Sequence, residues 1–371
     1  MPEVSIATKS VTQAPSEVAE ELIPAPRASV IIVGYNSLPD LEKCLPSLLA
    51  CVQDDLEIIL VDNASEDGTS SWVQQSFPKI KLVVSAENLG FGGACNLGAK
   101  HARGRYLAFL NPDTILDPGW LKALIAAFEA DPQAGLATSK ILLLHDPGRI
   151  NTCGNDIHLS GITLCRGMGQ PAQVFSHQEE VSAVSGACFA IRRQLFEALG
   201  GFDETFFMYM EDTDLSWRAR LLGYKCLFVP DSVVYHDYTL YFGPHKTFYQ
   251  ERNRYLMLLK NLRWRTLLVL LPALLLAEVV TWGYVLLHDR KNLANKFLAY
   301  AWIVQHWPEV MEKRRVVQAS RRTPDRPVLL SLKSRLDFEQ TDQTWIAQAA
   351  HLIFDPLFYI VHSIVLAVVK W

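Results

Sequence analysis

The chain reads as an α/β protein with a mostly parallel central sheet, followed by a helical C-terminal region of different composition. Three observations predict this. Short buried-strand runs alternate with helical segments up to about residue 130, and the connections are short, as in parallel strands covered by helices. The apolar runs stop at polar Gly/Asn/Asp clusters, which places those clusters at strand carboxyl ends, where open α/β sheets bind ligands. Beyond residue 262 the charge changes sign. Residues 1–262 carry 21 Lys/Arg against 30 Asp/Glu, residues 263–335 carry 13 against 5, and residues 336–371 carry 1 against 4.

The elements follow in order. Residues 1–26 are rich in Ser, Thr, Glu, Ala and Pro without an apolar stretch of signal-peptide type, and residues 1–27 are expected to be a disordered leader. Residues 29–33 are a buried strand that ends at Gly34-Tyr35-Asn36. Residues 38–52 carry Leu38, Leu41, Leu45, Leu48, Leu49 and Val52 at helical spacing. Residues 57–61 are a second strand, stopped by Asp62-Asn63-Ala64-Ser65. A short helix over 69–77, a strand over 81–85, a helix over 93–102 and a strand over 105–110 come next. That last strand ends at Asn111-Pro112-Asp113, and residues 120–130 are helical. Residues 145–180, rich in Gly, His and polar residues, read as loops and hairpins. A strand is expected after Ser185-Gly186-Ala187, helices over 194–199 and 211–222, and strands over 226–230 and 233–236. The seven cysteines, none at CxxC spacing and odd in number, read as buried thiols of a reducing compartment.

The densest chemistry is Glu211-Asp212-Thr213-Asp214, three acids in four residues after the apolar-aromatic run ending Phe206-Phe207-Met208-Tyr209-Met210. An acid cluster is usually a solvated helix face, but this lead-in places the acids at the lip of a pocket, where a carboxylate can act as a base or hold a cation. Asp62 is either a turn residue that caps or an acceptor of hydrogen bonds from a nucleobase. The Gly-rich run from Asn88 to Gly98 lets backbone approach phosphate ahead of a helix, but it matches neither a dinucleotide fingerprint nor a P-loop. Asp113 suits Mg²⁺ or Mn²⁺, which favour oxygen ligands. His236 is either structural or a metal or phosphate ligand. Arg252 and Arg254 are either a solvated helix face or a phosphate clamp.

Taken in order, Val33-Gly34-Tyr35-Asn36, Val61-Asp62-Asn63-Ala64-Ser65, Asn88-Leu89-Gly90-Phe91, Leu110-Asn111-Pro112-Asp113, Ser185-Gly186-Ala187 and Glu211-Asp212-Thr213-Asp214-Leu215 resemble the family 2 glycosyltransferases, and more narrowly their bacterial rhamnosyltransferase-like branch. The likeness covers about residues 28–262. It implies a GT-A (nucleotide-diphospho-sugar transferase) fold and an inverting transfer of sugar from a nucleotide diphosphate, with L-rhamnose from dTDP-L-rhamnose as the expected donor and a UDP-hexose as the alternative. It further implies donor contacts from Tyr35, Asn36, Asp62, Asn63, Asn88, Gly90, Phe91, Asn96, Asn111 and Gly186. A divalent cation, Mg²⁺ or Mn²⁺, would sit on Asp113 and His236. Asp212 would be the general base, with Glu211 beside it and Asp214, Arg252 and Arg254 toward the acceptor or its phosphates. The family's Asp-x-Asp reads Asn111-Pro112-Asp113, and its common Ala-Arg-Asn reads Ala94-Cys95-Asn96, so one carboxylate and one arginine are missing. A catalytically silent nucleotide-sugar-binding scaffold is the reading from another class, and the retained Asp212 and Asp113 speak against it.

Residues 263–371 are expected to be a helical, membrane-associated region. Residues 266–287 contain one charge, Glu278, and one proline, Pro272, with basic residues on both flanks. The length can span a bilayer, but Glu278 is costly in lipid, so a helix lying in the interface, or a re-entrant hairpin kinked near Pro272, competes with a span, and a helical subdomain packed on the catalytic domain or on a second subunit is the alternative without a membrane. The expected placement is the cytoplasmic face of the cell membrane, with a polyprenyl-diphosphate-linked or glycan acceptor in bacterial surface-polysaccharide or cell-wall synthesis. The same apolar tail could join copies of the chain into a homo-oligomer. The acidic balance of residues 1–262 argues against nucleic acid as a partner.

Overall fold

The structure is a computed structural model that describes residues 25–51, 55–238, 245–340 and 345–371. Most of the expected leader therefore lies outside the described residues. The first half is built from β1 (Ala28–Gly34), α1 (Leu38–Ala50), β2 (Leu56–Asp62), α2 (Thr69–Ser76), β3 (Lys81–Val84), α3 (Gly90–Lys100), β4 (Tyr106–Leu110), β5 (Thr114–Leu116) and α4 (Trp120–Ala130). Then come β6 (Ala134–Leu143), β7 (Asp146–Thr152), β8 (Asn155–Ile157), β9 (Thr163–Cys165), β10 (Glu179–Glu180), β11 (Cys188–Arg192), α5 (Arg193–Ala198), α6 (Glu211–Leu221) and β12 (Lys225–His236). The remainder is helical: α7 (Lys246–Asn261), α8 (Trp264–His288), α9 (Leu293–Gln305), α10 (Trp307–Ser320), α11 (Arg326–Leu330) and α12 (Trp345–Val368).

Every residue of β1 is buried, because helices cover both faces of the sheet, and such a strand reads as an unbroken apolar run. Its side chains alternate between two cores. Ala28, Val30 and Ile32 pack with α1 and α4, whereas Ile31 and Val33 pack with residues of α3, α5 and α6. The sheet runs β10-β12-β6-β11-β4-β1-β2-β3, with β1 parallel to both β2 and β4. The chain leaves β1 for β2 on one side and returns through α3 to β4 on the other. The crevice beyond the carboxyl ends of β1 and β4 is therefore a topological switch point, the place where such sheets bind ligands.

Two pairings that no local pattern announces complete the rim. β11 runs antiparallel between β4 and β6, with Cys188 opposite Leu110, so Gly186-Ala187 meets the end of β4. β5 pairs antiparallel with β12, placing His236 opposite Thr114 and beside Asp113. Several expectations shift. β5 and β6 were not anticipated, the two strands expected over 226–236 are one strand with a register shift between Val229 and Val233, and α3 starts at Gly90 rather than Gly93. All seven cysteines are free, five of them buried.

The C-terminal helices share a core with the sheet-bearing part, in which Trp217 and Leu256 pack with Leu270, Ala273, Phe358 and Val365. α8 continues unbroken through Pro272. Among the described residues, α8 and α12 are long and apolar enough to cross a membrane. Leu268, Leu271, Leu275 and Val279 on α8, and Leu352, Leu357, Ile360 and Ile364 on α12, stand exposed at helical spacing.

Candidate active site

The site forms where β1, β2, β4, β11 and β12 present their polar ends. At the β1 end Tyr35 is half exposed, and Asn36 adopts φ 50° while its Oδ1 accepts the Glu66 N–H at 2.8 Å. Asp62 is buried, and its oxygens accept from Ser65 N and from the Ser70 hydroxyl, so it braces the turn beneath Tyr35. Asn63 donates to Asn88 Oδ1 at 3.0 Å and accepts from Leu89 N at 2.9 Å, while Asn88 Oδ1 also accepts from Gly90 N at 2.9 Å. These two side chains bolt the 88–90 loop to the end of β2.

The glycines of that loop serve packing. Gly90 has φ 71°, and a Cβ there would collide with the Phe207 carbonyl, which itself accepts from Phe91 N at 2.7 Å. The Phe91 ring packs edge-on against Phe202. A Cβ on Gly92 would press on Phe202 and Glu211. The reading of this run as a backbone cradle for phosphate is therefore corrected: the segment before Glu211 occupies that space. Asn96 is corrected for the same reason, since its amide donates to Phe202 O and Glu204 Oε1 and accepts from Phe202 N at 2.8 Å, leaving it no free face for a donor.

The acids separate by environment. Asn111 N donates to Ala187 O at 3.0 Å, and the adjoining Gly186 N donates to Asp212 Oδ2 at 2.7 Å, so Asp212 is carried to the end of β4. Asn155 Nδ2 adds a bond to the same oxygen at 3.1 Å, and Thr213 N bonds Oδ1 at 2.6 Å. Burial raises the proton affinity of Asp212, and these donors oppose it by stabilising the anion. Glu211 has a buried Oε2 without a hydrogen-bond partner, and burial together with the Asp212 charge pushes its pKa up to about 8. The N–H donors on Asp212, against the unpartnered Oε2 of Glu211, favour the negative charge on Asp212 and the proton on Glu211 within this pair.

Asp214 is corrected. It is 0% exposed and bound by Arg218 at 2.7 Å, Lys260 at 3.1 Å and Asn261 at 2.9 Å, so it ties α6 to α7 from inside the protein. The two arginines are corrected as well. Arg254 is sealed between Glu251 and Glu278, and Arg252 donates to Thr205 O and to Phe206 O at 2.9 Å beneath the Trp302 ring. Both are buried: Arg252 turns toward the 205–206 backbone and Trp302 of α9, and Arg254, two residues on and so on the other side of α7, turns toward Glu278 of α8.

Asp113 and His236 form the remaining pair, with Oδ1 and Nε2 3.1 Å apart. Asn151 Oδ1 lies 2.9 Å from His236 Nδ1 and, as an amide oxygen, accepts from the tautomer with its hydrogen on Nδ1; in that tautomer Nε2 turns its lone pair toward the carboxylate. Two facing lone pairs require a proton or a cation between them. The donor set, one carboxylate oxygen and one imidazole held by an outer amide, fits a divalent cation that takes its other ligands from phosphate and water. Among the described residues no cluster of three or more potential protein ligands exists, so a bound cation would depend on such partners.

Residues 29–200 match the family model for glycosyl transferase family 2. The N-acetylglucosaminyl-diphospho-decaprenol L-rhamnosyltransferase of Mycobacterium tuberculosis is 31% identical over 232 residues, an alignment spanning 56% of this chain and 75% of that protein. This chain is a family 2 glycosyltransferase. The transferase has the GT-A fold: the crystal structure of S. aureus TarS 1-349 in complex with UDP-GlcNAc superposes with a TM-score of 0.52 at 19% identity, covering 91% of this chain and 90% of that one. That of GalNAc-T7 with UDP, GalNAc and Mn²⁺ superposes at 0.53 with 20% identity, covering 64% of this chain and 48% of that one.

Three residues that sequence reasoning missed hold the transferase's site together: Asn151 behind His236, Asn155 on Asp212, and Asn253 on the segment before Glu211. The first two lie in the irregular 145–180 stretch, where no periodic signal places them. Asn253 sits between the two arginines that drew attention by their charge.

Proposed function

We propose that this glycosyltransferase moves L-rhamnose from dTDP-L-rhamnose, with inversion, onto a sugar carried by a polyprenyl diphosphate. Residues 28–262 act as the transferase domain and residues 263–371 as its membrane-docking region. The observation that carries the reading is the Asn111–Ala187 and Gly186–Asp212 pair of bonds, which carries the Asp212 carboxylate to the end of β4, the strand that leads into Asp113 and its partner His236. The relative from Mycobacterium tuberculosis, named for an L-rhamnosyl transfer to a diphospho-decaprenol-linked sugar, supports the substrate classes.

In this mechanism Tyr35, Asn36 and Asn111 line the donor crevice above the floor formed by Asp62, Asn63 and Asn88. Asp212 takes the proton of the acceptor hydroxyl as that oxygen attacks the anomeric carbon. The bond from that carbon to the diphosphate oxygen breaks in the same displacement, and its electron pair leaves with the nucleotide. Asp113 and His236 would hold a divalent cation, which when bound offsets the charge growing on the leaving diphosphate. Glu211 keeps its proton and shields Asp212 from water.

Calorimetric titration of the detergent-solubilised protein with dTDP-rhamnose, UDP-glucose, UDP-galactose and GDP-mannose, each with and without Mn²⁺, tests the donor. Selective, Mn²⁺-enhanced binding of dTDP-rhamnose is expected. Preference for a UDP-sugar would replace the donor, and no binding by folded protein would favour a silent scaffold.

The helical region is proposed to lie on the bilayer rather than cross it. Glu278, midway along α8, is bonded by Arg254 at 2.5 Å and Lys296 at 3.1 Å, so folded protein flanks the helix where lipid would have to surround a span. The opposite face is apolar and exposed, and Arg263, Arg265, Arg290 and Lys291 flank the helix ends, as suits an anionic surface. The protein should float with vesicles containing anionic lipid and be released by alkaline carbonate. A Leu275→Glu/Val279→Glu variant should partition at least ~10-fold less, since each buried aliphatic side chain contributes about 1.5–3 kcal/mol. Carbonate-resistant retention would establish a span instead.

A further inference from the structure

Asp212 owes its place to a strained segment. Of the five non-glycine residues with positive φ among the described residues, three fall at Phe207 (62°), Tyr209 (66°) and Met210 (68°), immediately before Glu211. L-residues seldom adopt this region, and three in four positions persist only where the surroundings over-determine them. Bonds within the segment, Phe207 N to Glu204 O and Met208 N to Phe206 O, hold it only in part, because the carbonyls of Phe207, Met208 and Tyr209 turn outward to other elements. Phe207 O accepts from Phe91 N, and Phe206 O, Met208 O and Tyr209 O converge on one side chain of α7.

That side chain is Asn253, which is 0% exposed. Its Nδ2 lies 3.0 Å from Phe206 O, 2.8 Å from Met208 O and 2.8 Å from Tyr209 O, and its Oδ1 accepts from Arg252 Nε at 3.0 Å. An amide has two N–H groups for three carbonyls, so at least one is shared, and no other side chain of this size supplies such a fork together with an acceptor. We propose that Asn253 is a positioning residue of the transferase, holding the 207–210 hook in the one conformation that presents Asp212 to Gly186 and the acceptor. The proposal rests on Asp212 being the base.

α7 is a firm mount for this. It carries Asn253, and the neighbouring Arg254 pairs with Glu251 of the same helix and ties it to Glu278 on α8. Lys296 of α9 closes the ring at 3.1 Å from both carboxylates. The helices proposed to dock on the membrane are thereby joined, through one helix, to the segment that aims the base. Asn253 acts at a distance from the reacting atoms, so its loss should alter turnover more than donor affinity.

The test compares Asn253→Asp, which turns acceptor oxygens on the three carbonyls, and Asn253→Ser with the parent and with Asp212→Asn. Turnover, donor KM and calorimetric donor affinity are measured on full-length protein. Both Asn253 variants should lose about 100-fold in kcat while donor affinity stays within about 3-fold, as expected for a base misplaced by an ångström. Turnover near the parent's in either variant would overturn the proposal. A loss of donor affinity in parallel with kcat, or failure of both variants to fold, would assign Asn253 a merely structural role and overturn it too. If Asp212→Asn is inactive while the Asn253 variants turn over normally, only the positioning role fails. If Asp212→Asn is fully active, the base assignment fails and this proposal with it.

Discussion

Asp212→Asn is expected to lower kcat by about 10²–10⁴-fold, the range that a positioned general base contributes. The substitution is isosteric, and an amide oxygen turned toward Gly186 N and Asn155 preserves the hydrogen bonds at Oδ2. Donor KM should therefore change little, and the loss should appear in single-turnover rates, where binding is separated from chemistry. The pH dependence carries the same information. Burial lifts the proton affinity of Asp212 above that of an ordinary aspartate, and a base must be deprotonated to act. The wild-type rate should therefore fall as pH drops through a midpoint above the usual aspartate range, and this limb should vanish with Asp212→Asn. Glu211→Gln, which keeps the neutral form that Glu211 already has at pH 7, should be tolerated. The reverse pattern, with Glu211→Gln inactive and Asp212→Asn active, would make Glu211 the base.

Asp113→Asn should cost about 10²–10³-fold in kcat, the scale seen when one group stabilising a leaving or developing anion is removed. The reason is arithmetic of charge. The Asn111-Pro112-Asp113 run supplies a single carboxylate where the related motif has two, and His236 faces it. Removing the carboxylate leaves one imidazole, which holds a divalent cation against water only with strong help from the diphosphate. Calorimetric Mn²⁺ binding in the presence of the nucleotide should weaken in parallel, which gives a readout independent of turnover. His236→Ala should cost less, about 10–100-fold, as for loss of a neutral or outer-shell partner. Unchanged Mn²⁺ binding in Asp113→Asn would remove Asp113 from any cation site.

Within the site, legibility followed local chemistry. Gly34-Tyr35-Asn36 and Asn111-Pro112-Asp113 stand at strand ends because the apolar runs before them stop there, and that is visible in one dimension. Asp214, Arg252 and Arg254 looked like ligands because charge draws attention, yet each is spent on partners inside the protein that lie 24 to 46 residues away in the chain. Asn96 and the glycines of α3 looked like a phosphate cradle, because close backbone approach leaves the same sequence mark whether the neighbour is a ligand or the Phe202–Phe207 segment.

What the sequence determined alone is the α/β alternation, the polar ends of the parallel strands, the ordered motifs of a family 2 transferase and the apolar, basic character of the tail. All of these depend on residue type at short spacing, through hydrophobic period and turn chemistry. Only the tertiary structure decided which acid can be the base, what pairs with Asp113, and how the tail meets the catalytic part. Those depend on β11 running antiparallel beside β4, on β5 pairing with β12, and on the Arg254–Glu278 ion pair. Each joins residues far apart in the chain. Burial and charge pairing, which separate Asp212 from Glu211 and Asp214, exist only once those distant partners have closed around them.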